Sequence, residues 1–473
     1  MAVETVLLYI LGVVIIVVGV ALSIGLHEIG HLIPAKRFGV KVGQWMIGFG
    51  PTLWKRKFGE TEYGVKAIPL GGYISMAGMF PPGKVKTGAV SRAGHLRDEL
   101  ELDFVEGDLH DVDEDRALAS NTVRTRPKMD TTGFFNVLVQ DARDSSAETI
   151  SPGDEDRVFY KLAFWKRIII MLGGPTVNLI LGVIFYGIVI CLVGAPGFST
   201  TVSEVSQCMV QTTSASAANK TCAASDPVTP ASAGGLQAGD TVLSIDGAAI
   251  SSYEQETQII RDNAGTALTF VVDRNGAQKT LSITPVKNTT KDAAGNTVDA
   301  GFIGIVTQQQ LVTQPVTAVL PAVGANIAHV ATIIADLPHR LVQVAQAAFG
   351  GEKRDPNGPI SVVGVGRIAG TIASSPAPVA DRVSAMLSIL GSLNVALFVF
   401  NLIPLLPLDG GHVVGALWEA IRRRFAKWFK RPDPGPVDMA KLIPLTLAVS
   451  GVLGLMSVLL IYADIVNPVN LFG

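Results

Sequence analysis

The stretch IGLHEIGHLIPAKR, residues 24–37, closes an unbroken apolar run that is long enough to cross a membrane. Two histidines and a glutamate therefore lie at the end of a predicted transmembrane helix. Ionisable groups are costly in lipid unless they are paired or liganded, so the cluster indicates a functional site. His27 and His31 are four residues apart and share one face of a helix, where both imidazoles can reach one zinc ion.

Glu28 completes an HExxH motif, in which the glutamate acts on water held by zinc. A pair of histidines at a helix end, without a metal, is the alternative for this motif taken alone. Zinc in a hydrolase needs a third protein ligand. The candidate is Asp409 in NLIPLLPLDGGH, residues 401–412, because Pro404 and Pro407 interrupt the helix and a broken transmembrane helix usually lines a cavity.

His412, Asn401 and the cysteines each leave alternatives open. His412 is a rival third ligand, since imidazole also suits zinc, and the whole segment is alternatively a simple helix-ending turn. Asn401 is predicted to donate a hydrogen bond to substrate or to an oxyanion, or else to cap the helix end. No two cysteines form a CxxC pair, which argues against a thiolate zinc site. Cys208 and Cys222 are expected as a disulfide or as two free thiols.

The composition is that of a membrane protein. Of the 473 residues, 48% are hydrophobic and 16% are charged, and the formal net charge is −2. The sequence has no basic stripe with interleaved aromatic residues, so nucleic-acid binding has no support. Four apolar segments of about 20 residues or more predict transmembrane helices. They are residues 5–26, 168–194, 384–406 and 442–466.

Lysine and arginine residues indicate the orientation of these spans. Basic clusters follow the first span, precede the second and separate the third from the fourth. The positive-inside rule places all of them in the cytoplasm, so both termini and residues 195–380 face outward. Both metal-binding motifs then fall near the cytoplasmic ends of their spans.

The segments between the spans differ in kind. Glycines among β-branched and aromatic residues at 40–79 predict a hairpin that dips into the membrane. Residues 81–160 are acidic and predict a solvated, partly disordered cytoplasmic insertion. Residues 234–286 alternate apolar and polar positions in three short runs and predict a β-rich unit with one or two helices. Residues 311–380 predict an amphipathic connector at the outer membrane face.

The motifs together resemble those of the bacterial site-2 proteases, which are zinc intramembrane metalloproteases. The resemblance rests on HEIGH, on GGPTVN at residues 173–178 and on NLIPLLPLDGGH. The outward unit is similar to a PDZ domain through GGLQAGDTVLSIDG and through GFIGI at residues 301–305. Some members of the family carry tandem PDZ units, whereas one is found here, and residues 81–160 match nothing in the family pattern.

The resemblance implies a fold class: a polytopic α-helical membrane protein with four transmembrane helices, a membrane re-entrant β-hairpin loop and one extracytoplasmic PDZ-like α+β domain. The expected domains follow in chain order: 1–37, a transmembrane helix with HExxH; 38–80, the re-entrant β-loop; 81–160, the insertion; 161–196, the second transmembrane helix; 197–310, the PDZ-like domain; 311–380, the connector; 381–425, the third transmembrane helix with a basic cytoplasmic helix; and 438–468, the fourth.

The resemblance also implies residue roles and an activity. His27, His31 and Asp409 are expected to bind zinc, Glu28 to be the catalytic acid/base and Asn401 to hold substrate. The expected activity is cleavage of transmembrane segments of single-span proteins at the bacterial plasma membrane. Expected substrates are anti-sigma factors already cut on the outer side, or signal-peptide remnants. The alternative is a catalytically silent membrane scaffold or a transporter, although all four residues are present and the halves show no repeat.

Overall fold

The computed structural model describes residues 2–81, 134–209, 222, 226–291, 297–350, 354–355 and 358–469. Most of the predicted insertion, residues 82–133, lies outside the described residues. The chain divides into two compact units. Unit 1 contains Met1–Ser23, Thr176–Phe400 and Ser457–Gly473, and unit 2 contains Ile24–Pro175 and Asn401–Met456.

The described chain contains eleven α-helices and ten strands. The α-helices are α1 (Ala2–Arg37), α2 (Phe134–Glu148), α3 (Phe164–Ile188), α4 (Pro230–Ala233), α5 (Tyr253–Asp262), α6 (Val319–Ala335), α7 (Leu337–Phe349), α8 (Val362–Ser374), α9 (Val379–Asn401), α10 (Asp409–Trp428) and α11 (Ile443–Val466). The strands are β1 (Val42–Phe58), β2 (Thr61–Met76), β3 (Ala195–Val205), β4 (Thr241–Ile245), β5 (Ala248–Ala249), β6 (Leu268–Arg274), β7 (Ala277–Ile283), β8 (Val286–Lys291), β9 (Thr297–Phe302) and β10 (Ile305–Val312).

Five helical segments of the described chain are long and apolar enough to cross a membrane. Four of them overlap the predicted spans, and the fifth, Val316–Ala335, falls in the predicted connector, so the predicted count of four is not confirmed. Large apolar side chains on α1 and α11 face outward, as Leu7 and Leu455 do with 62% and 73% exposure. A helix surface of this kind suits lipid better than water.

The hairpin β1–β2 of unit 2 is folded back on itself. Residues 44–47 pair with 72–75 and also with 62–65, while residues 52–58 pair with 61–66. Glycines allow the bends, because Gly48 and Gly71 adopt φ values of +89° and +117°, which side chains with a Cβ rarely accept. Among the described pairings, residues 72–76 bond on one side only, to β1, and so form a sheet edge.

A small apolar core fixes the hairpin against two helices in unit 2. Leu32 of α1, Val42 and Met76 of the hairpin, and Ile170 of α3 are all buried in one cluster. Val413 of α10 packs against the same cluster. The four elements that carry or surround the predicted motifs therefore share one core.

The region predicted to be PDZ-like lies in unit 1. Its main sheet has the order β10-β3-β4-β6-β7, with β5 paired to β4, and β8 and β9 form a separate hairpin. The three predicted runs are β4, β6 and β7, and the predicted amphipathic stretch is α5, whose N-cap Ser252 accepts a hydrogen bond from the Gln255 amide. Sequence patterns did not predict β3 or β8–β10. Cys208 and Cys222 form a disulfide.

The predicted connector is largely helical. In α6, Val319 and Val323 are buried in a cluster with Ile190, beyond the end of α3, and with Val395 of α9. Near the end of α11, the buried Asp464 accepts a hydrogen bond from the Ser361 amide at the start of α8, 2.6 Å away. These contacts hold the connector helices to the apolar helices of unit 1.

Candidate metal centre

The two histidines of the HExxH motif lie on the last turns of α1 and are both buried. The Nε2 atoms of His27 and His31 are 3.2 Å apart. On an α-helix, residues four apart lie above one another on the same face, which produces this approach. Both imidazoles therefore present a ring nitrogen to the same point.

Asp409 comes to the same point from a distant part of the chain. Helix α9 ends at Asn401 and α10 begins at Asp409, so the predicted helix break is present. Helix α9 ends at residue 401, five residues before the predicted end of the third span, because Pro404 and Pro407 disfavour a continuing helix. The Asp409 Oδ2 atom lies 3.3 Å from His27 Nε2 and 3.4 Å from His31 Nε2.

Two glycines allow the chain to turn back on itself after the break. A Cβ on Gly410 would lie 2.4 Å from the Ile403 carbonyl oxygen, and one on Gly411 would lie 2.7 Å from the Leu406 amide nitrogen. Neither gap accommodates a side chain. The Gly410–Gly411 pair therefore permits the tight turn that brings the Asp409 carboxylate to the histidines.

The three atoms fit a tetrahedral zinc ion. Zinc–nitrogen and zinc–oxygen bonds of about 2.0–2.1 Å place neighbouring ligands of a tetrahedron roughly 3.3 Å apart. The observed separations of 3.2, 3.3 and 3.4 Å match that value on all three sides. In the described part of the chain, His27, His31 and Asp409 are the group of three that can hold a metal ion. Two imidazoles and a carboxylate form a donor set that is found in catalytic zinc sites.

A hydrogen bond orients one of the imidazoles. His31 Nδ1 lies 2.7 Å from the carbonyl oxygen of Ile170 in α3 and donates to it. The proton is then on Nδ1, so the Nε2 lone pair faces His27 and Asp409. Such a bond to the distal ring nitrogen commonly fixes the tautomer of a metal-binding histidine.

Glycines in α1 and α3 make this contact possible. A Cβ on Gly173 would lie 2.0 Å from the Gly30 carbonyl oxygen, so the two helix backbones touch. A Cβ on Gly174 would lie 2.4 Å from His31 Nε2 and 2.7 Å from His27 Nε2. The GG of the GGPTVN motif therefore leaves space for the two imidazoles, a role that its position in the sequence did not reveal.

Glu28 lies buried beside the cluster, and the hairpin packs on it. A Cβ on Gly72, in β2, would lie 3.1 Å from Glu28 Cγ. Gly72 begins the sheet edge formed by residues 72–76. A half-buried sheet edge without a second strand partner among the described pairings thus lies next to the carboxylate of the HExxH motif.

Asn401 and His412, the other two predicted site residues, lie close to Asp409 in the sequence. Asn401 is the last residue of α9 and is half-buried. His412, the rival ligand, lies in the first turn of α10 with its ring 6.5 Å from that of Phe159. It is not part of the three-residue group.

A buried ion pair, which the sequence patterns did not predict, joins α10 to α3. Arg167 Nη2 lies 2.6 Å from Glu419 Oε1, with the two side chains 8% and 1% exposed. Glu419 also accepts a hydrogen bond from the Val437 amide at 3.0 Å. Because Asp409 begins α10 and Ile170 lies in α3, this pair fixes the two helices that complete the cluster. The only sequence signal was the presence of charges next to apolar segments.

Known proteins resemble this chain over most of its length. The model of peptidase family M50 matches residues 15–431. Zinc metalloprotease Rip1 of Mycobacterium bovis is 28% identical over 98% of this chain and 100% of its own length. Rip1 of Mycolicibacterium smegmatis is 29% identical over 98% and 99% of the two chains, and zinc metalloprotease RasP of Oceanobacillus iheyensis is 26% identical over 86% and 90%.

Proposed function

Since the chain belongs to peptidase family M50, we propose that it is a zinc-dependent intramembrane protease that cuts the transmembrane segments of single-span membrane proteins. His27, His31 and Asp409 hold the zinc ion. The observation that carries this proposal is the triangle of 3.2, 3.3 and 3.4 Å between their ligand atoms. Anti-sigma factors already cut on the outer side, and signal-peptide remnants, are the proposed substrates.

Each residue around the three ligand atoms has a separate role in peptide hydrolysis. Zinc, when bound, supplies Lewis acidity toward water and toward the peptide carbonyl. Glu28 takes a proton from the attacking water and later donates it to the leaving amine. Asn401 donates a hydrogen bond to the oxyanion of the tetrahedral intermediate. The Ile170 carbonyl holds His31 in the tautomer that this arrangement needs.

The substrate backbone must be exposed before it can be cut. In a transmembrane helix the backbone carbonyls accept hydrogen bonds within the helix. Unwinding in lipid costs several kcal/mol for each backbone group that loses its hydrogen bond. An extended substrate recovers those hydrogen bonds by adding a strand to a sheet edge. Residues 72–76 provide such an edge, and Gly72 contacts Glu28. The re-entrant hairpin thus presents the scissile bond to the acid/base.

The proposed topology has four crossings and a cytoplasmic-side active site. His27 and His31 lie at the C-terminal end of α1, and Asp409 follows the C-terminal end of α9, so both helices run outside to inside. An odd number of membrane crossings must then lie between α1 and α9 in the chain. Helix α3 supplies one, and adding α6 would make the number even. Helix α6 therefore belongs to the outer connector of residues 311–380.

This topology places both termini and the PDZ-like domain outside the bacterial plasma membrane. The Cys208–Cys222 disulfide supports the placement, because disulfides persist in oxidising compartments. In this position the domain acts as a gate that admits substrates whose bulky outer domain has been removed. Deleting residues 195–312 tests the gate, since the Gln314 amide already bonds the Ile190 carbonyl at 2.8 Å and the cut ends lie close. We expect the deleted protein to cut untrimmed reporters, and retained discrimination would contradict the gate.

The test of the activity is Glu28→Gln in the purified full-length protein. A fluorescent single-span reporter with a short outer segment is the substrate, and Glu4→Gln, at the exposed opposite end of the same helix, is the control. We expect Glu28→Gln to lower turnover at least 10³-fold while zinc content stays at the parent level. A scaffold or a transporter would show no reporter cleavage that depends on Glu28.

A further inference from the structure

A buried carboxyl group in the PDZ-like domain has no partner and no part in the proposed proteolysis. Glu256 of α5 is 1% exposed, and neither of its carboxyl oxygens has a hydrogen-bond partner among the described residues. An unpartnered buried carboxyl is costly, because it loses its hydration and gains nothing in return. Such a group in a native protein calls for an explanation by function.

Glu256 lines a groove of about 300 Å³. One wall is the face of α5 that carries Tyr253, Glu256 and Ile260, and the other is the chain from Gly301 to Thr307. At one end the walls meet, because a Cβ on Gly301 would lie 2.0 Å from the Ile260 carbonyl oxygen. Glu256 lies one helical turn before Ile260, towards the start of α5.

The strand wall of the groove can accept another strand. In the described sheet β10 is terminal and pairs with β3 only, from Ile305 opposite Val205 to Val312 opposite Ala195. The backbone groups on its other edge are available to an extended peptide. Successive side chains of such a peptide point to opposite faces, so some of them face α5. The groove therefore suits a strand whose helix-facing side chains are read by α5.

The carboxyl group of Glu256 favours one type of peptide side chain at the position that faces it. An apolar side chain would leave both carboxyl oxygens unsatisfied, and an acidic one would oppose the ionised form of Glu256. A lysine ammonium supplies three donors and an arginine guanidinium supplies two parallel ones. Either can satisfy both oxygens once the Glu256 side chain, whose oxygens are shielded from solvent in this structure, turns into the groove. Arg261 is the other charged residue that lines this groove, and it lies five residues further along the helix. We propose that the groove binds an extended peptide whose lysine or arginine side chain pairs with Glu256.

Peptide binding to the full-length protein tests this directly. The probes are fluorescent nine-residue peptides of valine, serine and threonine, with one lysine moved through the nine positions, and matched peptides with norleucine in its place. Protein carrying Glu28→Gln is used throughout, so that no peptide is cut. We expect lysine at one position to lower the Kd at least tenfold relative to norleucine. Glu256→Gln should reduce that ratio to less than twofold, while Glu204→Gln, at an exposed position on β3, should leave it unchanged.

Calorimetry provides a second, independent readout. Burial raises the pKa of Glu256 to about 8, so about nine-tenths of the free protein carries a proton there at pH 7. Pairing with lysine should release close to one proton, seen as a binding enthalpy that depends on the buffer, and Glu256→Gln should abolish that dependence.

Two results would overturn the inference. They are equal binding of lysine and norleucine peptides at every position, and a lysine preference that survives Glu256→Gln. None of these readouts depends on proteolysis, so failure here leaves the proposed enzyme activity standing, and failure of that activity leaves this proposal standing.

Discussion

Gly72 of the hairpin contacts the side chain of Glu28, so closely that a Cβ at Gly72 would lie 3.1 Å from Glu28 Cγ. The free edge of the hairpin, residues 72–76, therefore begins at the proposed acid/base. A strand added to this edge would bring its own carbonyl groups past Glu28. The contact joins the two parts of the proposed mechanism, which are substrate unwinding and hydrolysis.

Proline substitutions at this edge test the strand-addition step. The amides of Tyr73 and Ile74 point to opposite sides of the strand, so one of Tyr73→Pro and Ile74→Pro removes an outward donor and spares the pairing with β1. We expect at least one of them to lower kcat/KM for the single-span reporter by 10-fold or more, with zinc content unchanged. Leu53→Pro is the control, because Leu53 is 70% exposed and lies in the segment that pairs on the far side of the hairpin. Parent-level cleavage by both edge variants would refute strand addition here.

Gly174→Ala tests the space reserved for the imidazoles. The new methyl group would overlap the Nε2 atoms of His31 and His27, at 2.4 and 2.7 Å. Overpacking of a rigid site costs about 1–3 kcal/mol, so we expect zinc affinity to fall roughly 5- to 150-fold, as measured by competition with a chelator. Gly187→Ala in the same helix is the matched control, since a Cβ there would meet nothing within 4 Å. Equal zinc affinity in the two variants would show that Gly174 has no such role.

Glu419→Gln tests the ion pair that joins α10 to α3. It leaves the Arg167 guanidinium buried without its carboxylate, a change that typically costs about 3–5 kcal/mol. We expect the melting temperature to fall by roughly 3–5 °C and zinc affinity to fall with it, because α10 carries Asp409. Arg423→Gln removes the second, 40% exposed partner of Glu419 and should have a much smaller effect. Unaltered zinc affinity in Glu419→Gln would mean that the pair stabilises the fold without positioning Asp409.

Glu256 predicts a pH dependence for the stability of the PDZ-like domain. Its pKa is raised from 4.5 to about 8, so between these values the unfolded chain loses a proton that the folded domain keeps. The free energy of unfolding should fall as the pH rises through that window, by at most about 1.4 kcal/mol per pH unit. In calorimetric melts, Glu256→Gln should melt increasingly above the parent from pH 5 to pH 8. A constant difference across this range would contradict the raised pKa.

The sequence predicted the centre of the site better than its surroundings. The spacing of His27 and His31 predicts a shared helix face, and Pro404 and Pro407 predict a helix break before Asp409. Both features are local, and the structure has both. The contacts of His31 with Ile170 and of Gly174 with both imidazoles join α1 to α3, and no local pattern specifies which helix faces meet. The same holds for Arg167 and Glu419, which are more than 250 residues apart in the chain.

The fold shows the same difference between local features, which the sequence predicted, and long-range features, which it did not. Alternating runs predicted β4, β6 and β7, and the alternation of buried residues is clearest in β6. An amphipathic pattern predicted α5. Strand β3 lacks clear alternation, since its burial pattern is irregular, and β10 is an edge strand with half of its positions exposed. The fold-back of the hairpin depends on positive φ values at Gly48 and Gly71. Glycine allows such values, but the presence of a glycine in the sequence does not predict them. Helix α6 is apolar enough to span, and only its place in the chain relative to the two motifs argues that it does not.

The most direct measurement is the zinc content and zinc X-ray absorption spectrum of the purified full-length protein, compared with Asp409→Ala. The account predicts one zinc per parent chain, bound by two imidazoles and oxygen ligands with no sulfur. It also predicts loss of most of that zinc, or of one oxygen ligand, in Asp409→Ala. One zinc per chain with an unchanged spectrum in Asp409→Ala would contradict the claim that His27, His31 and Asp409 meet around a single ion.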